Sequence, residues 1–421
     1  MKILWFLYKP LDDKKYKGGN WIKVLVKNIN HISDIDLAIC YHGENDYFFK
    51  KIDNITHYNI KQKSSFLKKW YNKLTHKLTD EEIEEYLNVI ENFKPDIIQI
   101  FGTEFGFGKI CKHTNVPIII HVQGLVNPYL NAWFPQKINL FKTLLFTKPI
   151  DIIKGNGFFH QYLRFKKKAN REIKITKCNN NYFTRTHWDT SYIRLLNPDA
   201  NIFNCNEMLR EEFKQQEWKF KNKSEKRIVS VINGEIYKGW DNLLRIASGL
   251  KQYTNLNFKW IIIGINQHDY SAKLFEHTYK TKFKENNVFF AGKMNAKQIV
   301  EEFLQADLFI HPSHIDNSPN SVCEAMATGI PVVSTNVGGI SSLIKNFTEG
   351  ILLPDNDIYL WIAKIYNLLN SPEELIKYSK NARQKALKRH DNKEISKCII
   401  ESYKKVINNT TQKTPDKIKT S

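Results

Sequence analysis

Apolar residues recur along this chain in short unbroken runs, separated by stretches with helical spacing. Ile3–Tyr8 is a run of apolar residues of the length of one buried strand. Trp21, Val24, Leu25, Ile29 and Ile32 then recur at the spacing of a helix face. Asp96–Phe101 (DIIQIF) and Pro117–Val122 (PIIIHV) predict two further buried strands, separated by the length of a short helix, as βαβ units require. Residues 129–180 lose this regularity and turn basic and aromatic, which predicts helices and loops. The polar, charged stretch from Asn204 to Lys226 reads as a connection between domains.

The second half is more regular. Arg227–Ile232, Phe258–Gly264, Val288–Gly292, Leu308–His311 and Pro331–Thr335 are predicted strands. Trp240, Leu243, Leu244, Ala247 and Leu250 follow the first of them at helical spacing, and helices are predicted over 271–285, 295–305 and 320–328. The last stops at Gly329 with Pro331 beyond, a usual helix termination. The polar tail after Val406 is expected to fray. Such alternation of strand and helix implies doubly wound, mostly parallel sheets. The expected organisation is two Rossmann-like α/β domains, 1–205 and 206–390, then a C-terminal helix and tail over 391–421 that could pack back on the N-terminal domain. Ligands of such sheets bind beyond the C-terminal strand ends, so a cleft between the domains is the expected site.

Composition narrows the class. With 421 residues, 42% hydrophobic and 13% aromatic, the chain buries a large core, and low-complexity and disordered classes are excluded. Lys interrupts every apolar stretch before it reaches the roughly 18–20 residues of a spanning helix. The N-terminal run lacks a signal peptide's cleavage site. The six cysteines are scattered without Cys-x-x-Cys, which suits a reducing cytoplasm and argues against a disulfide scaffold or zinc ribbon. The net charge of +20 is concentrated: 61–77 holds six Lys and no acid, and 137–177 carries a net +9. Phe66, Leu67, Trp70 and Tyr71 interleave with the first patch, and Leu140, Phe141, Leu144, Leu145, Phe146, Phe158 and Phe159 with the second. That mixture suits an anionic membrane surface; a core with a solvated lysine rim is the structural alternative. No nucleic-acid-binding motif accompanies the charge, and no nucleic acid partner is expected.

Candidate chemistry concentrates in 311–354. A strand ends at His311, a loop crosses Pro312–Pro319, and a helix begins near Asn320 or Ser321, whose free N–H groups form a ready anion site. Asp316 in the loop and Glu324 in the first helical turn are suited to gripping sugar hydroxyls beside a phosphate. Ser321-Val-Cys-Glu324 is equally a capping box, and Asp316 alone an ordinary loop acid. Gly338-Gly339 allows either close backbone approach to a ligand or a tight turn. His311-Pro-Ser-His314 has a short spacing but no acidic or cysteine company, so it is not read as a metal site.

The composite Pro312-Ser313, Asp316, Pro319-Asn320-Ser321, Glu324-Ala325-Met326-Ala327, Gly329-x-Pro331-Val332-Val333, Gly338-Gly339 and Gly350-x-Leu352 resembles the donor-binding half of the family 4 glycosyltransferases, glycosyl transferases group 1. Lys238-Gly239, Arg389-His390-Asp391 and Gly18-Gly19 extend the resemblance. It implies a GT-B fold, with two Rossmann-like domains facing each other across a cleft. It further implies a retaining transferase that moves a sugar from a nucleotide diphosphate donor to a glycan or lipid-linked acceptor. Cell-surface polysaccharide biosynthesis is the expected use, in the cytoplasm or on the inner membrane face, with no cofactor or bound metal. By the same resemblance Glu324 holds ribose hydroxyls, Asp316 contacts the donor sugar, Lys238 neutralises the diphosphate, and Gly18 and Gly19 approach the reacting sugar. Asn233, Asn320 and Ser321 join the donor-binding set, and Gln123 joins Lys238 and Asp316 in the catalytic set. Asp316 stands where the family has Glu, Ile232-Asn233 where it has Gly-Arg, and Gln123 where many members have His; His121 shares the strand face of Gln123. Phe101-Gly-Thr-Glu104, Thr184-Arg185-Thr186, Trp188-Asp189 and Glu207-x-Leu209-Arg210 mark a variant branch without assigned chemistry. The alternatives are another GT-B enzyme, an epimerase or glycogen-type synthase, and a non-catalytic nucleotide- or nucleic-acid-binding protein.

Overall fold

The computed structural model describes residues 1–11, 20–43, 48–61, 80–147, 149–153, 155 and 157–412. The chain forms two compact units. Unit 1 comprises Met1–Asn127, Arg164–Met208 and His390–Ser421; unit 2 comprises Pro128–Leu163 and Leu209–Arg389. Residues 128–163, inside the N-terminal segment delimited from the sequence, thus cluster with unit 2.

Among the described residues unit 1 is built on eight strands: β1 Lys2–Leu7, β2 Asp36–His42, β3 Phe49–Ile52, β4 Ile55–Ile60, β5 Ile97–Phe101, β6 Ile118–His121, β7 Asn181–Thr184 and β8 Asn201–Asn204. They lie in the order β3-β4-β2-β1-β5-β6-β7-β8, and only the β3–β4 pair is antiparallel. The period of two sorts each central strand between two cores. Ile3, Trp5 and Leu7 of β1 join Leu37, Ile39 and Tyr41 of β2 on one face. Leu4 and Phe6 join Ala38 and Cys40 on the other. A sheet covered on both faces needs such unbroken apolar strands. β2 to β4 were not read from the sequence, although DLAICYH is buried from Leu37 to Tyr41.

The last helix, Asn392–Gln412, places Ile395, Ile399, Tyr403 and Val406 in the first of these cores. Tyr403 accepts a hydrogen bond from Trp5 Nε1 at 3.0 Å and donates to Gln99 Oε1. The helix therefore continues past Val406, where fraying was expected: Val406 is buried and Ile407 packs against the same core. A second correction concerns the cysteines. Cys111 and Cys178 form a disulfide, joining the 3₁₀ turn Gly106–Lys112 to the end of the helix Phe158–Cys178. The two segments meet closely because Gly108 lacks a side chain; a Cβ there would sit 2.5 Å from Ile175 Cγ2.

Unit 2 holds six parallel strands: β9 Lys226–Val231, β10 Phe258–Ile263, β11 Val288–Gly292, β12 Leu308–His311, β13 Val332–Thr335 and β14 Ile351–Leu353, in the order β11-β10-β9-β12-β13-β14. The helices Trp240–Tyr253, Ala296–Gln305 and Asn320–Thr328 lie close to their sequence-based ranges. The helix expected over 271–285 ends at Tyr279, because Lys280 takes a left-handed conformation with φ 52°. In both sheets the chain adds strands on one side of its first strand and then returns to the other side. The reversal falls between β1 and β5 in unit 1 and between β9 and β12 in unit 2. A crevice opens at the C-terminal ends of two strands whose connections leave in opposite directions.

Candidate active site

The reversal in unit 2 brings two loops together. One leaves β9 and carries Lys238; the other leaves β12 and carries Asp316. Lys238 Nζ lies 2.8 Å from Asp316 Oδ2, with both side chains largely buried. His311, the last residue of β12, places Nε2 3.2 Å from the same oxygen. Tyr129 donates its hydroxyl to Asp316 Oδ1 at 3.0 Å and accepts the Asn317 N–H at 3.2 Å. Burial works to raise the Asp316 carboxyl, but Lys238 and His311 outweigh it and hold the group well below the usual carboxylate range. Burial likewise opposes the Lys238 ammonium, and Asp316 with Glu235 more than offsets it, so its pKa is raised. Burial pushes the Tyr129 hydroxyl far up, with Asp316 adding to the effect, so it remains a donor.

Two glycines let the loop of Asp316 sit this deep. A Cβ on Gly239, at φ 78°, would fall 1.9 Å from Pro312 O, and one on Gly338, at φ 54°, 1.9 Å from Asp316 O. The Gly339 N–H donates to that same Asp316 carbonyl at 3.0 Å. The Gly338-Gly339 pair thus serves close backbone approach to the chain's own loop.

The helix Asn320–Thr328 starts at Pro319, which offers no side-chain cap. Ser321 is therefore inside the helix, Glu324 lies beyond the first turn, and the capping box does not form. Glu324 instead accepts from Arg210 Nε and Nη2 at 2.9 and 2.8 Å, both through Oε1. Burial raises the Glu324 carboxyl, and Arg210 only partly counters it. Asn233 is exposed and donates to Glu235 at 3.0 Å. Gln123 belongs to unit 1, where its Oε1 accepts from Trp21 Nε1 at 3.3 Å and its carbonyl from Arg185. His121 of β6 is buried against Trp21 and Phe101; burial, reinforced by Arg185, pushes its ring down to about 3, so it is neutral packing. Gly18 and Gly19 lie outside the described residues.

Sequence reasoning missed Tyr129 and gave Arg210, though it marked Glu207-x-Leu209-Arg210, no chemistry; the two reach their partners across 187 and 114 positions. It also missed the acidic partners of both histidines. His314 bridges Asp241 at 2.7 Å and Asp355 at 3.2 Å. Among the described residues no three-ligand cluster includes His311 or His314.

The fold matches solved structures over nearly the full length. A sucrose-phosphate synthase from Thermosynechococcus elongatus superposes with a TM-score of 0.71, covering 97% of this chain and 99% of that one at 14% identity. Anabaena Alr3699/HepE in complex with UDP gives 0.66, covering 96% and 100% at 13% identity. Two doubly wound sheets of this order define the class: the chain has the GT-B fold of glycosyltransferases. Residues 211–385 match the family model of glycosyl transferases group 1. An uncharacterized glycosyltransferase of Haemophilus influenzae is 30% identical over 160 residues, 38% of this chain and 43% of that protein. The N,N'-diacetylbacillosaminyl-diphospho-undecaprenol alpha-1,3-N-acetylgalactosaminyltransferase of Campylobacter jejuni is 28% identical over 199 residues, 47% and 50% of the two chains. The chain thus spans about half the length of these two relatives, or less.

Two outcomes follow from the geometry. Lys238→Ala leaves the Asp316 charge buried without its main partner, and should cost about 3–5 kcal/mol in urea unfolding. The double variant Lys238→Met/Asp316→Asn removes both charges and should cost clearly less; equal losses would show that the pair is not coupled. Asp241 and Asp355 raise the His314 ring, against burial, from 6.5 to about 9. A raised folded pKa stabilises fully below the unfolded value and loses that contribution as pH climbs through the folded one. The stability gap between wild type and His314→Gln should therefore be widest below about pH 6.5 and shrink as pH rises through about 9.

Proposed function

We propose that this protein is a retaining glycosyltransferase that moves a sugar from a nucleoside diphosphate to a glycan or lipid-linked acceptor, in cell-surface polysaccharide biosynthesis. The observation that carries the reading is the buried Lys238–Asp316 contact at the strand-order reversal of unit 2, inside the family-matched segment. The names of the Haemophilus and Campylobacter relatives agree with it. In this reading an incoming diphosphate draws the Lys238 ammonium from Asp316, and the uncapped start of the helix Asn320–Thr328 offers its N–H groups to the same anion. Asp316, released from Lys238 and still held by Tyr129 and His311, contacts the sugar hydroxyls. Glu324, steadied by Arg210 through Oε1, keeps Oε2 for the ribose. Leaving-group charge is then met by an ammonium and backbone dipoles, and the proposal includes no bound metal.

The test is release of nucleoside diphosphate from a panel of UDP-, GDP- and ADP-sugars. Asp316→Asn keeps the volume and loses the charge, and turnover should fall about 10²–10³-fold. Unchanged turnover in Asp316→Asn, or no release from any donor, would sink the reading.

The proposal places the enzyme on an anionic membrane surface. No helix among the described residues is long and apolar enough to cross a membrane. The short helices Leu140–Leu145 and Pro149–Ile153 expose Phe141 at 69%, Leu145 at 65%, Ile150 and Ile152, beside Lys137 and Lys142. The other aromatics of this patch are half-buried, and Phe66, Leu67, Trp70 and Tyr71 lie outside the described residues. Each Lys near an anionic leaflet contributes about 1 kcal/mol. Cosedimentation with liposomes should rise with anionic lipid, fall with salt, and weaken in Phe141→Ser/Leu145→Ser. Binding indifferent to lipid charge and salt would rule this anchor out.

A further inference from the structure

The last helix, Asn392–Gln412, packs against β8, an edge strand of the unit 1 sheet, and side chains from both mark the contact. Lys405 sets its ammonium 5.9 Å from the centre of the Phe203 ring. Cys398 Sγ lies 3.2 Å from the Asn204 carbonyl oxygen. Cys205 comes next in the chain, and its side chain joins Ile395, Ile399 and Tyr403 of the helix in one core, with Cys398 packed against it. The backbone there is fixed, since the Cys205 N–H donates to Thr184 O of β7 at 2.8 Å. Two thiols far apart in sequence therefore meet where the helix passes the end of β8. Cys205 donates a hydrogen bond to the Cys398 sulfur.

This pair differs from the other four cysteines. Cys111 and Cys178 are already joined, and Cys40 and Cys323 are buried. Cys205 is buried as well, but Cys398 is half-exposed, so a small oxidant reaches it. The hydrogen bond acts on the two sulfurs in opposite directions. It draws the Cys398 thiol down to about 7, against burial and Glu401 and with help from Ser402. The same bond, together with burial, pushes the Cys205 thiol far up. One sulfur is thus a ready thiolate at neutral pH, and the other keeps its proton. An accessible thiolate beside a second thiol is the arrangement that reacts with peroxide and then closes to a disulfide.

We propose that Cys398 is a peroxide-sensitive thiol, that Cys205 is its resolving partner, and that the disulfide they form clips the last helix to the end of β8. The Cys398 thiolate attacks one oxygen of hydrogen peroxide. The O–O bond breaks, and hydroxide leaves and takes up a proton to become water. The Cys205 sulfur then attacks the sulfur of the resulting sulfenic acid. The S–O bond breaks, and the hydroxyl leaves with the Cys205 proton as a second water. Two thiols are oxidised to one disulfide, and the peroxide is reduced to two waters. The place of the clip in the chain gives it consequence. The unit 2 segment Leu209–Arg389 lies wholly between Cys205 and Cys398, so the disulfide closes a long covalent loop whose two ends are both held on unit 1. Without the clip, the helix is held by its apolar core and by the hydrogen bonds of Tyr403 with Trp5 and Gln99. The inference stands apart from the transferase reading.

The experiment uses the full chain, reduced and then exposed to hydrogen peroxide, with peptide mapping under non-reducing conditions. Wild type should yield two peptides joined through Cys205 and Cys398, and dithiothreitol should separate them. Hydrogen exchange across Asn392–Gln412 should be slower in the oxidised protein than in the reduced one. Cys398→Ser, at a half-exposed position, should give no joined peptides and no change in exchange. Cys205→Ala should leave Cys398 as a sulfenic acid that dimedone traps. It should also slow iodoacetamide alkylation of Cys398 at neutral pH about threefold or more, because the hydrogen bond that favours the thiolate is gone. Absence of the Cys205–Cys398 peptide pair from peroxide-treated wild type overturns the proposal, as does unchanged exchange of the helix once the pair has formed. Alkylation of Cys398 at the same rate in wild type and Cys205→Ala also overturns it, because the two thiols then do not act on each other.

Discussion

The constraint on which unit 2 depends is that the Asp316 carboxylate is taken out of water and must be compensated where it lies. Removing one ion from water costs several kcal/mol even after relaxation. The compensation comes from three separate segments: Lys238 after β9, His311 at the end of β12, and Tyr129 from the 128–163 stretch. No two of these three segments adjoin in sequence. Meeting at one carboxylate therefore requires the sheet order that sets β9 beside β12 and the glycines that let the loop descend. It also gives the 128–163 stretch a polar tie to the rest of unit 2.

Unit 1 solves a similar problem with a different balance. Glu172 is fully buried and accepts from five donors: the Thr103 hydroxyl, the Val126 and Asn127 N–H groups, the Asn127 amide and the Tyr192 hydroxyl. All five are neutral, so this carboxylate is held by hydrogen bonds and not by an ion pair. It ties the turn after β5 to the start of the helix Val126–Asn131 and to the helix His187–Leu196. A carboxylate saturated in this way has nothing left for a ligand.

Much of the fold was legible. Both doubly wound sheets follow from apolar runs alternating with helical spacing, because a strand buried on two faces must be apolar throughout. β2 was missed although its run is apolar; other elements were lost where that signal was interrupted or diluted. β3 is a charged, exposed edge strand, and the helix from Tyr270 ends at a left-handed lysine that no pattern announces. The basic patches were equally visible, but which of their aromatics face solvent was not: Phe141 is exposed and Phe146 half-buried within one short stretch.

By itself the sequence determined the class of fold, the likeness of the segment 211–385 to glycosyl transferases group 1, and Lys238, Asp316 and Glu324 as separate residues to watch, since short-range spacing and strand-end motifs are local properties. Tertiary structure alone decided what each charged group touches. It gave Glu324 to Arg210 and not to a helix cap, gave His311 and His314 acidic partners, and brought Tyr129 to Asp316. It also gave the Phe-Gly-Thr-Glu motif a local task, a turn pinned by Thr103 to the buried Glu172. The physical reason is common to all of these. A buried charge is stabilised by whatever donor the fold brings within about 3 Å, and that proximity is set by sheet order over separations of tens to hundreds of residues, which no local pattern encodes.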